Sequence, residues 1–476
     1  MTCHLCFSHT KICPLSSGLD VALACIVSRQ ISRILILKLG VEVAQPEELA
    51  RRTFITRALT AGAIIPLGSL TSLASEESSP SKSFKPGDWV RDARAQLPAT
   101  GRSTYFQTGG VGLTPTRVLD GVSDRLHFQN QGPADPRYSP EMASIEPTLR
   151  SYLAEQFGVP QGGVALTHST SEGISIVAWS RDWSEGDEVI ISNQEHPANV
   201  VPWFVLRDRF GIVIREINLD AGTDLIPEVR SALSSRTRMV SLSHVSRNNG
   251  RSLRTDDCAE LAGILRRDDI VFHLDGAQGP GCVAMDFSAL GCDAYSTCGH
   301  KWLCGPKGTG ALFVKPERLD DLKLSWAGSH SHAELDYAGR YTLLPTAARY
   351  EFGTRALADF AGFQYAVEWM ESLGWNRVLN RIQNLVQYAV ARVEEEASLS
   401  LASPPSEVDR SGVFVVRLPS GCDATDVYNH LAAEKHILTS PVRREGDLRL
   451  AIHFFNTEEE IDQALAAVLS ACEAND

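Results

Sequence analysis

Two hydrophobic patterns divide the body of the chain. In its middle, short apolar runs stand between polar stretches: Asp187–Ser192, Gly211–Ile217, Arg238–Ser243, Ile270–Leu274 and Gly310–Val314. These runs are continuous rather than alternating, as expected of strands buried on both faces of a sheet. Helical stripes lie between them. TDDCAELAGILRR opens on Thr255 and Asp256, either of which can cap a helix, and then spaces its apolar residues by three and four. Strands alternating with helices predict βαβ units and a mostly parallel sheet, with ligands at its carboxyl edge.

The pattern changes after residue 355. Phe360–Leu373 and Val378–Glu395 predict two long helices. A strand (Gly412–Leu418), a helix (Ala424–Glu434), short strands around Ile437–Thr439 and Leu448–His453, and a helix from Thr457 follow. This tail predicts a second, smaller α+β domain. The expected division is a large domain over 89–355, whose first part can pack with the small one, and a small domain over 356–476.

The chain's start reads differently. RRTFITRALTAGAIIPLGSLTSLAS places Arg51 and Arg52 before an apolar stretch from Ala58 to Ala74 that ends in the small-residue site Ser72-Leu73-Ala74. That is the anatomy of a secretory signal, and the paired arginines give it the twin-arginine form. Gly62, Pro66 and Gly68 interrupt any helical core stripe. Residues 51–74 are therefore expected to be a signal peptide cut after Ala74, and 75–88, SEESSPSKSFKPGD, a linker. This predicts an exported, periplasmic protein with no stable membrane span after signal removal; the alternative is cytoplasmic. Residues 1–50 form an uncertain leader. Signals normally begin a chain, so the true start is expected near Val41 or Val43.

With 43% hydrophobic and 22% charged residues, the chain has the profile of a soluble globular enzyme. Net charge is −13, divided as +3 over residues 1–74 and −16 over the rest. No long basic run occurs in the body, which argues against nucleic acid as a partner. Of eleven cysteines, four fall in the first 25 residues and seven are scattered, so no disulfide framework is expected. CHLC has metal-like spacing, but no second pair follows it, and no metal site is expected.

The candidate chemistry sits where strand signals end. HLDGAQ delivers Asp275 and YSTCGHKW delivers Lys301. A lone lysine is usually a surface residue. An acid and an amine at one sheet edge match what pyridoxal phosphate needs, an amine for its aldehyde and a carboxylate for its ring nitrogen. HSTSEGIS puts Thr170 and Ser171 at a helix start, where free N–H groups and the dipole favour a phosphate; alone, it is an ordinary cap. EHPANVVPW puts His196 at another strand end, where its ring could lie on an aromatic cofactor.

The series TSEGI, EHPANVVPW, SHVS, HLDGAQ, GHKWLCGPKGTG, EFGT and LRLAIHFFNT, in that order over about residues 100–476, resembles the class V aminotransferase family of fold-type I pyridoxal-phosphate enzymes. That group includes cysteine desulfurases and isopenicillin N epimerase-like proteins, and KWLCGPKGTG and EFGTR look closer to the epimerase-like branch. The resemblance implies an α/β fold of the fold-type I transferase kind, pyridoxal 5'-phosphate as cofactor, a small amino acid or amine as substrate, and a homodimer with a shared active site. It implies that Lys301 is the Schiff-base lysine and the proton shuttle at Cα. It puts Asp275 at the ring nitrogen, Gln278 at the phenolic oxygen and His196 on the ring. Thr170, Ser171 and His300 would hold the phosphate, and Thr354 would reach the phosphate of the partner subunit. Arg449 would clamp the substrate carboxylate, a task suited to a forked guanidinium.

The chain also departs from the family. Desulfurases carry a nucleophilic cysteine shortly before that arginine, whereas ILTSPVRREGDLR has none; Cys422 is nearest and precedes a helix. Cys298 stands where relatives often have a serine, so Thr297 could contribute instead. Arg247 replaces an asparagine seen in desulfurases and could supply a second positive charge for a diacid or larger substrate. Arg355, Arg443 and Arg444 are further candidates against a surface role. The resulting expectation is an aminotransferase or epimerase-like enzyme acting at Cα. A C–S lyase or desulfurase-like enzyme is the alternative, and a non-catalytic pyridoxal-phosphate binder a further one. Lys301 and Arg449 together favour an enzyme, since a mere binder needs no carboxylate clamp.

Overall fold

The continuous apolar runs form the strands they predict. In the computed structural model, which describes residues 89–473, the sheet strands are β1 (Val164–Thr167), β2 (Glu188–Ser192), β3 (Val213–Ile217), β4 (Thr237–Ser243), β5 (Val271–Asp275), β6 (Ala294–Cys298) and β7 (Gly310–Val314); the five predicted runs are β2, β3, β4, β5 and β7, and β1 and β6 are additional. They make one seven-stranded sheet in the order β1-β7-β6-β5-β4-β2-β3. Only β7 runs against its neighbours β1 and β6. The carboxyl ends of β1, β2, β4, β5 and β6 therefore share one edge. The leader 1–50, the signal-like segment 51–74 and the linker 75–88 lie outside the described residues.

β3 departs from the expected burial. Its Arg215 and Glu216 are exposed, because β3 closes the sheet and has a neighbour on one side only. Water solvates such an edge, and charged residues there oppose pairing with another chain. Arg215 reaches back to Glu188 of β2 at 2.8 Å.

The tail forms a second, antiparallel sheet: β8 (Ser400–Leu401), β9 (Val413–Arg417), β10 (Ser440–Pro441) and β11 (Asp447–Ala451), in the order β8-β9-β11-β10. Five helices bear on the argument. α1 (Thr170–Ala178) follows β1. α2 (Leu357–Leu373) and α3 (Trp375–Glu394) are the two long helices predicted. α4 (Ala424–Glu434) and α5 (Glu458–Glu473) cover the second sheet's region. α2 joins both hydrophobic cores. Phe360, Phe363 and Val367 pack with the seven-stranded sheet, whereas Trp369, Met370 and Leu373 pack with the tail. The first described residues also belong with the tail. Trp89 stacks on Phe454 at 5.7 Å, Arg94 pairs with Glu460 at 2.8 Å, and Thr104–Tyr105 lies parallel to Ile437–Leu438. No helix among the described residues is long and apolar enough to cross a membrane.

The cysteines correct the sequence expectation. Cys422, just before α4, and Cys472, in the last turn of α5, form a disulfide with Cα atoms 5.4 Å apart. Helix packing brings together two residues 50 positions apart, which spacing alone does not reveal. Closing a loop of that size should stabilise the fold by about 3–4 kcal/mol. Cys422→Ser is therefore expected to lower the denaturation midpoint, and reductant should shift the wild type but not the variant. Equal midpoints with and without reductant in the wild type would show that the bridge contributes nothing.

Candidate active site

The acid and the amine meet as their strands dictate. Asp275 is the last residue of β5 and lies opposite Ser296 of β6. Lys301 follows the end of β6 by three residues, in a turn closed by the bonds Cys304 N–H to Lys301 O (3.1 Å) and Gly305 N–H to Gly299 O (2.8 Å). A second segment presses on this turn. Gly112 N–H donates to His300 O at 2.7 Å, and a Cβ on Gly112 would lie 2.0 Å from Lys301 O. Only glycine fits there.

Burial weakens the charge of both groups. It raises the Asp275 carboxyl above its ordinary range, opposed by the Ala277 N–H (2.9 Å) and by the charge of Lys301. It lowers the Lys301 amine, opposed by Cys298 and Asp275 and reinforced by Arg449 and Arg247. Some of the lysine side chain still meets solvent, but its amine is desolvated. Acid and amine thus lie within each other's electrostatic reach.

His196, from the loop after β2, accepts the Ala198 N–H on Nδ1 at 3.0 Å, so a neutral ring carries its proton on Nε2. Burial lowers its pKa to about 4, with Lys301, Arg247 and Arg449 pushing the same way. At neutral pH it is an uncharged, flat imidazole. Before α1, the N-cap is Ser169, which accepts the Glu172 N–H at 3.2 Å. That frees Thr170, the first helical residue. Its Oγ1 is buried without a hydrogen-bond partner, beside the weakly bonding thiol of Cys298. Ser171 is exposed. His300 is half-buried, its Nδ1 also lacks a partner, and burial lowers its pKa to about 4.

Gln278 is largely engaged within the protein. It donates to Gly109 O at 2.8 Å and accepts the Trp302 Nε1–H at 2.6 Å, leaving one amide N–H. Gly109 in turn abuts the Arg449 guanidinium, whose Cζ would lie 3.3 Å from an added Cβ. Arg449, on β11, is 2% exposed. Its Nε has no partner, and burial together with Arg247 lowers its pKa to about 10. Thr354 is exposed and forms no hydrogen bond with this group among the described residues.

The other arginines separate cleanly. Arg355 is not a surface residue. It is buried, donates to Leu166 O and stacks 4.8 Å over Phe360. Arg443 is exposed and donates to Asn193 O at 3.1 Å, and Arg444 is exposed. Arg247 alone joins Arg449 in acting on Lys301 and His196.

Sequence reasoning passed over Glu195. It is fully enclosed and bonds to Ser192 (2.5 Å), Ser243 (2.7 Å) and Asn199 (2.7 Å). Asn199 continues through Ser241 (2.7 Å) to His273 (2.8 Å) and Ser296 (2.9 Å), crossing beneath Asp275 from strand to strand. Burial pushes the Glu195 carboxyl up to about 7, and the charge of Asp275 adds to it. Polar residues inside otherwise apolar strands, such as Ser241, His273 and Ser296, were the available signal.

Pyridoxal phosphate fits these residues. A desolvated amine and an enclosed carboxylate stand on adjacent strand ends. Two buried polar atoms lack partners, Thr170 Oγ1 at the start of α1 and His300 Nδ1 next to Lys301, and a phosphate could take them up. Thr170, His300, His196, Asp275 and Lys301 are the residues that would hold the cofactor.

Comparison with known proteins gives the chain a family and a fold. The aminotransferase class-V family model matches residues 104–464. A probable cysteine desulfurase of Mycolicibacterium paratuberculosis is 31% identical over 382 residues, covering 76% of this chain and 54% of that protein, so the chain spans about half of its length. Isopenicillin N epimerase of Amycolatopsis lactamdurans is 28% identical over 393 residues, covering 79% and 97%. Among solved structures, the cystine C–S lyase C-DES with its reaction product cysteine persulfide is 26% identical, with a TM-score of 0.73, covering 78% of this chain and 99% of that one. A lysine-to-alanine mutant of C-DES with glycine covalently linked to its PLP cofactor matches with the same TM-score of 0.73 and covers 79% and 98%. The chain belongs to the aminotransferase class-V family and is a fold-type I pyridoxal-phosphate enzyme.

Proposed function

We propose that the protein is a C–S lyase that splits a small sulfur-containing amino acid without a protein-bound persulfide. The observation that carries this reading is the state of its thiols. Cys422 is tied to Cys472, and the other five described cysteines are buried. Burial pushes all five thiols up, Cys282 and Cys304 to about 12, so none is a ready thiolate. Among the described residues, the nucleophile of a desulfurase that stores sulfur on its own cysteine is missing. C-DES, the cystine C–S lyase among the neighbours, releases its sulfur as cysteine persulfide. The lyase alternative is thus better supported than the aminotransferase or epimerase expectation.

The residues divide the work. Arg449 holds the substrate's α-carboxylate. Lys301, its pKa lowered by burial, is the base that takes the Cα proton. Asp275 would hold the cofactor's ring nitrogen with its carboxyl, and the uncharged His196 offers a flat face. The bound cofactor supplies the electron sink for the Cα electrons. The C–S bond then breaks and sulfur leaves with its electron pair. With L-cystine and water, the products balance as cysteine persulfide, pyruvate and ammonia.

Two finer points belong to the same reading. The enzyme works as a homodimer, with the exposed Thr354 reaching the other subunit's cofactor phosphate. It also works outside the cytoplasm: the signal-like segment 51–74 and the Cys422–Cys472 bridge both suit an oxidising compartment.

The test is product analysis of the holoenzyme with L-cystine and no added thiol. Pyruvate, ammonia and persulfide should appear in equal amounts. Alanine as the carbon product would show desulfuration, and a racemised or transaminated substrate without pyruvate would restore the first expectation.

A further inference from the structure

Among the described residues, no carboxylate pairs with either of two guanidiniums at the site, those of Arg247 and Arg449. Arg449 lies buried on β11, and its Nε has no partner. Arg247 follows β4 in a loop tied to the segment that carries His196. Asn248 Nδ2 donates to Gln194 O at 3.1 Å, and Ser246 Oγ to Gln194 Oε1 at 3.3 Å. Ser246 Oγ also accepts the N–H groups of Asn248 (3.1 Å) and Asn249 (3.2 Å), so Arg247 projects from a fixed turn. Its side chain is half-buried and makes no hydrogen bond or ion pair among the described residues. These ties to Gln194, two residues before His196, set the Arg247 loop on the reacting side, and its charge acts on Arg449, Lys301 and His196. No carboxylate of the described residues acts appreciably on either guanidinium. Two like charges without a counter-ion repel each other and lose solvation, and an anionic ligand relieves both costs most fully when each guanidinium meets a negative group of its own.

We infer that Arg247 and Arg449 bind two separate anionic groups of one substrate, making it an amino acid with a second carboxylate beyond its reacting bond. Arg449 takes the α-carboxylate and Arg247 the distal one. That the reacting bond is C–S rests on the lyase reading; the need for two anions does not. L-Cystine and S-(carboxyalkyl)cysteines belong to this class.

Calorimetric titration of the holoenzyme with glutarate and butyrate tests it. Wild type should bind glutarate about tenfold or more tighter than butyrate, since a guanidinium–carboxylate contact is among the stronger polar contacts. Arg247→Gln should raise the glutarate Kd about tenfold and leave that of butyrate unchanged. Arg247→Lys should keep much of the preference, which a merely structural role would not explain. Arg449→Ala should weaken both ligands. Equal affinities in wild type, or a preference surviving in Arg247→Gln, would overturn the inference. Pyruvate release from S-(2-carboxyethyl)cysteine and S-propylcysteine forms a separate arm. If neither thioether nor L-cystine gives pyruvate while calorimetry follows expectation, the lyase reading falls and the two-anion inference stands.

Discussion

Lys301→Ala is expected to abolish turnover, by roughly 10⁴-fold or more, because one residue supplies both the amine that holds the cofactor and the base at Cα. Dialysis should also strip the cofactor, with loss of its visible absorbance. The fold should survive. The wild-type amine is desolvated and its charge disfavoured, so removing it relieves a cost of burial. Melting curves of wild type and variant in the absence of cofactor would confirm that the loss is chemical. Wild-type-like turnover would remove Lys301 from the mechanism.

The second large effect is expected at Asp275. Asp275→Asn keeps the shape and an acceptor for the Ala277 N–H, now 2.9 Å away, but deletes the charge. Because the site is enclosed, that charge acts at short range with little screening. The variant should retain cofactor yet lose roughly 10²–10³-fold in kcat, with little change in KM. Unchanged kcat would show that the ring nitrogen needs no charged partner. A parallel loss of cofactor would reassign Asp275 to binding alone.

Glu195 sets the background for both experiments. Its carboxyl, pushed up to about 7, can be neutral or charged near physiological pH. Neutral Glu195 spares Asp275 a like charge across the network. The seven-stranded sheet holds this arrangement because every member is hydrogen-bonded, and a half-satisfied network would cost more than an apolar core.

Much of the site was legible because it is local. Asp275, Lys301, His196 and Thr170 each stand at or just past a strand end. The strands showed as apolar runs because both faces of that sheet are covered. The order of motifs along the chain was enough to bring the family into view. Some details shifted even there. Ser169 rather than Thr170 caps α1, and that change leaves the Thr170 hydroxyl unpartnered.

What the tertiary structure alone decided involves residues far apart in the chain. Arg355 reads in the sequence as either a second substrate cation or a surface residue, and only its packing over Phe360 shows it buried. Arg247 lies in a loop after the seven-stranded sheet's β4 and Arg449 in the second sheet, and only the fold sets their charges against each other. Cys422 and Cys472 are joined because α4 and α5 pack side by side. Strand ends and helix caps are encoded by neighbours in sequence. Burial, pairing and charge convergence depend on which distant segments the collapsed chain brings together, and the sequence carries no local signal of that.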